Sequence, residues 1–195
     1  MNGKPIFLRG VSIHEENPLV SDARTKFLKS LVDEARGLDG TRLVSAAMEV
    51  RGDPQDSNHK IVDAPFGEFT DLCSFNEYVG WYDGLPDKID RIRWSIKYDK
   101  PVVISEFGAD ARTRFSKEYQ ADVYRRTLPM LEKIPGFSGY TPWILNDFRS
   151  PRRLLPKVQD DWNIKGLIGH DGRKKKAFFV LQKIYGEMQN DGTSK

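Results

Sequence analysis

The sequence contains a single cysteine, Cys73, so no disulfide can form within the chain and nothing in it requires an oxidising compartment. No apolar run approaches the roughly 20 residues that a membrane-spanning helix needs. Neither sign of charge dominates, because 31 basic residues nearly offset 28 acidic ones and leave a net charge of +3. The N-terminal stretch MNGKPIFLRG also lacks the apolar segment of a secretory signal. These absences predict a cytoplasmic chain with no membrane or nucleic-acid partner.

Short apolar runs alternate with amphipathic helical patterns, which favours a single α/β domain over residues 1–195. We predict four helices: one from Ser21 to about Leu38, then Pro86–Tyr98, one starting near Ser116, and Lys174–Tyr185. Five strands are predicted at Ile6–Ile13, Leu43–Met48, Phe69–Phe75, Val102–Glu106 and Phe137–Leu145. Loops are predicted at Arg51–Asp63 and Asn146–Gly172. This order fits part of a (β/α) barrel or an open doubly wound sheet, and periodicity does not choose between them.

Glu106 ends the most apolar of these runs, Val102–Glu106, which has the composition of a strand buried on both faces. In parallel α/β folds the carboxyl ends of strands face the active site. A carboxylate held there by rigid backbone suits a nucleophile or a general acid. The alternative is a structural glutamate that pairs with an arginine at the rim of the sheet.

Several segments, in matching order, resemble the catalytic barrel of family-two glycoside hydrolases, the β-galactosidase and β-glucuronidase group. VVISEFGAD (Val102–Asp110) resembles the segment that carries the nucleophile, and SFNEYVGWYDG (Ser74–Gly84) resembles the sixth-strand region. NGKPIFLRGVSIHEE (Asn2–Glu16) resembles the first strand, and TPWILNDF (Thr141–Phe148) the eighth. The resemblance implies a (β/α)8 barrel and retaining hydrolysis of β-glycosides.

The resemblance also implies roles for individual residues. Glu106 matches the nucleophile that forms the covalent glycosyl-enzyme, and Tyr78 matches a tyrosine that hydrogen-bonds it. Asn76 and His14 match residues at the sugar site, and Trp143 matches an aromatic that stacks on the sugar. Without the resemblance, a strand-end cap would explain Asn76 and core packing would explain Trp143.

Asn163 and Lys165 indicate the class of sugar. An Asn-x-Lys element after the eighth strand resembles the one with which β-glucuronidases hold the carboxylate of the uronic acid. An ammonium and an amide together suit charge-assisted recognition of a carboxylate. The alternative is an exposed loop lysine. The element favours a β-glucuronide over a β-galactoside as substrate.

The chain also departs from the family. A barrel has eight strands and typically about 250 residues, whereas five strands are predicted here and no segment resembles the second to fourth strands. The missing part normally supplies the acid/base, for which Glu16 is the nearest candidate, although Glu16 also fits the end of the first-strand motif. We therefore expect weak or absent hydrolysis. Because strand edges would be unpaired, we also expect the chain to be marginally stable, to self-associate, or to close a smaller sheet by pairing its first strand beside the fifth. The alternative function is an impaired fragment with at most residual sugar binding.

Neither a cofactor nor a metal is predicted, because one histidine in His14-Glu15-Glu16 is too little for a metal site. Arg149, Arg152 and Arg153 could add to an anion site in the long loop. The run Arg173–Lys176 is predicted to be a solvated helix start. A nucleic-acid-binding module would rest on this run and the modest positive charge alone, since no aromatic and basic face accompanies them.

Overall fold

The computed structural model describes residues 21–111, 116–151 and 161–192. The helices are α1 (Ser21–Leu38), α2 (Pro86–Ile89), α3 (Lys117–Leu131) and α4 (Lys176–Gly192). The strands are β1 (Ala47–Met48), β2 (Arg51–Asp53), β3 (Asp56–Val62), β4 (Cys73–Glu77), β5 (Arg93–Ile96), β6 (Val102–Phe107), β7 (Phe137–Pro142), β8 (Phe148–Arg149) and β9 (Trp162–Asn163). The predicted first strand, Ile6–Ile13, lies outside the described residues. No helix within the described ranges is long and apolar enough to cross a membrane.

Four parallel strands form the main sheet in the order β1-β4-β6-β7. Strand β6 lies inside this sheet, and its residues Val102, Ile104 and Phe107 are fully buried. Val103 and Ser105, which alternate with Val102 and Ile104, are only partly buried, so one face of β6 is covered more completely than the other. The parallel sheet confirms the predicted α/β class.

Helix α3 connects β6 to β7 and packs over the sheet. The Ser116 side chain caps it by accepting a hydrogen bond from the Tyr119 N–H at 3.3 Å, which confirms the predicted start. Its inner face buries Val123, Tyr124 and Leu131 against the core. Helix α1 also begins at Ser21, as predicted from its amphipathic pattern.

Strands β2, β3 and β5 form a second sheet, in which β2 and β3 are antiparallel and β3 and β5 are parallel. The prediction of a loop at Arg51–Asp63 was therefore wrong. The sequence of β3 is mostly polar, and the sheet carries exposed side-chain ion pairs such as Arg51 to Asp63 at 2.6 Å. A polar, partly exposed sheet lacks the apolar alternation that identifies most strands.

Two further predictions need correction. The helix predicted over Pro86–Tyr98 ends at Ile89, because Arg93–Ile96 instead pairs with β3. The run Arg173–Lys176 is not wholly solvated, since Lys175 is buried and forms an ion pair with Asp147. The long connection at Asn146–Gly172 also contains the short antiparallel pair β8-β9.

Candidate active site at the carboxyl edge of the parallel sheet

Glu106 lies near the carboxyl end of β6, in register with Asn76 on β4. Its Oε2 accepts a hydrogen bond of 2.9 Å from the Tyr78 hydroxyl. Burial, together with the neighbouring Glu106 carboxylate, raises the pKa of the Tyr78 phenol. Tyr78 therefore keeps its proton at physiological pH and serves as a donor to Glu106.

Asn76 lies beside Glu106 on the neighbouring strand. The Ser105 hydroxyl donates a hydrogen bond of 2.7 Å to the Asn76 side-chain oxygen. With that oxygen engaged, the two N–H groups of the amide are the donors that this side chain retains. The pairing of β4 with β6 thus places a carboxylate, a phenol and an amide at one edge of the sheet.

Trp143 follows β7, and its backbone N–H donates a hydrogen bond of 2.8 Å to the Phe107 carbonyl. Its ring packs edge-to-face on Phe148 at 6.1 Å between centroids. A side chain at Gly108 would place its Cβ 2.6 Å from the Trp143 carbonyl oxygen, and Gly108 has a φ of 151°. Glycine at this position therefore lets the backbone after Trp143 pack directly against the segment after Glu106.

Lys165 lies in the loop after β9 with its side chain almost entirely buried, since only 2% of the residue is exposed. Its Nζ lies 5.1 Å from the Trp81 ring centroid and 5.4 Å from that of Tyr82. Tyr82 in turn packs edge-to-face on Tyr78, with centroids 5.2 Å apart. Lys165 is thus connected to Glu106 through successive contacts of two tyrosine rings.

The Asn163 side chain accepts a hydrogen bond of 3.1 Å from the Lys165 backbone N–H. This bond fixes the turn that carries the lysine, a local role that the sequence pattern did not indicate. The structure therefore brings Glu106, Tyr78 and Asn76 together and links Lys165 to them. His14, Glu16, Arg152 and Arg153 lie outside the described residues, and Arg149 lies 3.5 Å from Asp161 in an exposed ion pair.

Three residues important to this geometry were not singled out from the sequence. Trp81 and Tyr82 lie within the SFNEYVGWYDG segment, so that motif held the signal for both. Gln120 is fully buried on α3, and its Nε2 donates to the carbonyls of Ala109 and Lys165 at 3.0 and 3.1 Å. A polar residue on the apolar face of a helix was the signal for Gln120.

The buried ion pair between Lys175 and Asp147 stabilises the loop that carries Lys165. The Lys175 Nζ lies 2.7 Å from Asp147 Oδ1 and 2.9 Å from the Ile164 carbonyl oxygen. The same Asp147 oxygen accepts a hydrogen bond of 2.9 Å from the Gly166 N–H. These bonds anchor the backbone on either side of Lys165 to the start of α4. Within the described part of the chain, no group of three metal-binding side chains occurs.

No family model matches the sequence. The β-glucuronidase of Paenibacillus borealis is 24% identical over 193 residues, which cover 91% of this chain and 30% of that protein. Among solved structures, a β-glucuronidase from an uncultured Clostridium species has a TM-score of 0.68 at 23% identity, covering 85% of this chain and 30% of that one. A GH2 β-galacturonidase from Eisenbergiella tayi, bound to galacturonate, has a TM-score of 0.65 at 21% identity and covers 84% of this chain and 30% of that one.

The chain therefore spans less than a third of the length of these relatives. The structural matches show a shared fold, and the sequence match extends over nearly the whole chain. The chain is thus similar in sequence to β-glucuronidases over most of its own length, and it shares the fold of their solved structures.

Proposed function

We propose that the chain carries the nucleophile side of a retaining β-glycosidase site and that its substrate is a β-glucuronide. The observation that carries the proposal is the position of Glu106, at the carboxyl edge of the parallel sheet with its carboxylate hydrogen-bonded by Tyr78 at 2.9 Å. The sheet would be part of a (β/α)8 barrel, of which residues 1–195 hold about five of the eight strands in a single domain.

In the proposed reaction, a Glu106 oxygen attacks the anomeric carbon and the bond to the leaving-group oxygen breaks. A covalent glycosyl-enzyme forms, and water then releases the sugar with retention of configuration. The hydrogen bond from Tyr78 holds the carboxylate in place for attack. The Asn76 amide would donate to a sugar hydroxyl, and Trp143 would stack on the sugar ring.

Acid sugars are favoured over neutral ones because of Lys165. Among the described residues, no carboxylate forms an ion pair with its buried ammonium. A buried charge without a counter-ion is costly, and a substrate carboxylate would relieve that cost. The β-glucuronidase and galacturonate-bound relatives support a uronic acid, and a β-galactoside is the alternative substrate.

Protonation of the leaving group is a step for which the sequence offers a single candidate residue. Glu16, the acid/base candidate, lies outside the described residues, and general acid catalysis contributes about 10²–10⁴-fold to rate. The alternative function is accordingly a fragment that binds sugar without turning it over. Self-association through open strand edges, as the sequence predicts, is a further part of the proposal.

The test is intact-mass analysis after incubation with an activated 2-fluoro-glucuronide, whose leaving group departs without an acid. We expect an added glycosyl mass on the wild type, and on a Glu132→Gln control that changes an exposed carboxylate. The Glu106→Gln variant should gain no mass, because it lacks the nucleophile. Unlabelled wild type, with folding verified by circular dichroism, would contradict the glycosidase proposal and favour the binding-only alternative. Faster labelling by the matching galactoside would instead reverse the sugar assignment.

A further inference from the structure

Two aromatic rings lie close to the Lys165 ammonium. Its distances to the ring centroids of Trp81 and Tyr82, 5.1 and 5.4 Å, both lie within the range of a cation–π interaction. No acidic side chain within the described ranges pairs with it. The two rings therefore supply the electrostatic stabilisation that keeps a charged group at a site where only 2% of the residue is exposed.

The backbone fixes the aromatic side of this contact. The N–H groups of Trp81 and Tyr82 both donate to the Tyr78 carbonyl, at 3.1 and 3.0 Å, so the loop after β4 is a closed turn. The Gly80 carbonyl of that turn accepts a hydrogen bond of 2.6 Å from the Tyr119 hydroxyl on α3. Helix α3 thus holds the loop that presents both rings to the lysine.

Trp81 and Tyr82 are not equivalent. Tyr82 is 60% exposed, whereas Trp81 is partly buried and packs edge-to-face on Tyr82 at 5.8 Å. Indole also offers the strongest cation–π face among the aromatic side chains. Trp81 is consequently the better placed of the two to fix the ammonium, because Tyr82 is largely exposed to solvent.

We infer that Trp81 is a positioning residue that holds the Lys165 ammonium by a cation–π contact and so sets the preference of the site for acid sugars. This inference rests on the proposed function, because it assigns the sugar carboxylate to Lys165. Trp81 itself need not touch the sugar. A variant that loses the indole face should therefore lose affinity for a uronic acid and keep its affinity for the neutral sugar of the same shape.

The experiment compares binding of glucuronate and glucose by NMR titration of the full chain. In the wild type, glucuronate should bind more tightly than glucose. Trp81→Leu should weaken glucuronate binding by about 5- to 30-fold with glucose unchanged. Trp81→Phe, which restores an aromatic face, should recover most of the loss. Equal weakening for both sugars, or no weakening in Trp81→Leu, would overturn the inference.

A Lys165→Met variant separates this inference from the proposed function. If the wild-type preference for glucuronate disappears in Lys165→Met but persists in Trp81→Leu, the acid-sugar assignment stands and the role of Trp81 is refuted. A wild type that binds both sugars equally would refute both. Loss of the preference in both variants, with rescue by Trp81→Phe, is the result we expect.

Discussion

Glu77 is a buried carboxyl group at the end of β4, and it makes stability depend on pH. Only 2% of the residue is exposed, and its Oε1 accepts a hydrogen bond of 2.7 Å from the Val79 N–H. Burial raises the pKa of this carboxyl from 4.5 to about 8 despite that bond and the nearby charge of Lys60. The group is therefore protonated in the folded protein at neutral pH.

The effect on stability follows from the difference in protonation of Glu77 between the folded and unfolded states. Between pH 4.5 and about 8 the folded chain retains a proton on Glu77 that the unfolded chain has released. The free energy of unfolding therefore falls as pH rises through this window. Relative to acidic pH, where both states are protonated, the raised pKa of Glu77 lowers the free energy of unfolding by about 1 kcal/mol at pH 5 and by roughly 3 kcal/mol at pH 7.

Glu77→Gln tests this reasoning, because glutamine keeps an oxygen for the Val79 N–H and cannot ionise. In urea unfolding, the free energy of unfolding of Glu77→Gln should be higher than that of the wild type by roughly 3 kcal/mol at pH 7 and by about 1 kcal/mol at pH 5. Glu132→Gln, which removes an exposed carboxylate, controls for the change in net charge. A difference between Glu77→Gln and wild type that is the same at pH 5 and pH 7 would refute a raised pKa at this position.

Two further changes test the packing around the site. Lys175→Met leaves the Asp147 carboxylate buried without its cation and should lower the free energy of unfolding in urea by about 3–5 kcal/mol. Adding Asp147→Asn should restore part of this loss. A loss under about 1 kcal/mol in Lys175→Met would contradict a buried ion pair. Gly108→Ala should lower the free energy of unfolding by about 1–3 kcal/mol, measured by thermal denaturation. The reason is that alanine disfavours a φ of 151° and its Cβ would clash with the Trp143 carbonyl oxygen. Gly139→Ala, where a Cβ meets nothing within 4 Å, is the matched control.

Local patterns predicted the parts of the fold in which sequence and packing agree. Val102–Glu106 is apolar and β-branched, and β6 spans Val102–Phe107 inside the parallel sheet. Helix α1 follows from an apolar stripe, and helix α3 from the Ser116 cap. In each case the deciding signal lies within a few neighbouring residues, so it could be read without knowledge of the tertiary structure.

The second sheet could not be predicted in the same way. Strand β5 exists because Arg93–Ile96 pairs with His59–Val62, a contact between distant parts of the chain. Local propensity around Pro86 favours a helix, and tertiary pairing overrides it beyond Ile89. Strands with mostly polar side chains, such as β3, leave little periodic apolar signal for a sequence-based prediction to detect.

The candidate site was predictable where a motif carried it. The Tyr78–Glu106 hydrogen bond was expected from the resemblance, and the structure contains it. The surroundings of Lys165 were not expected, because its aromatic partner Trp81 lies far away in the sequence. A cation–π contact leaves no spacing pattern along the chain, so only the folded structure pairs these two residues.

The side chain of Gln120 links two separate segments of the site. One nitrogen atom donates to Ala109 in the segment after Glu106, and also to Lys165 and Gly166, at 3.0, 3.1 and 3.1 Å. The segment after Glu106 and the loop that carries Lys165 therefore share one buried anchor. Loss of the Gln120 amide would release both segments at once, so a single substitution on α3 would disturb the two sides of the site together.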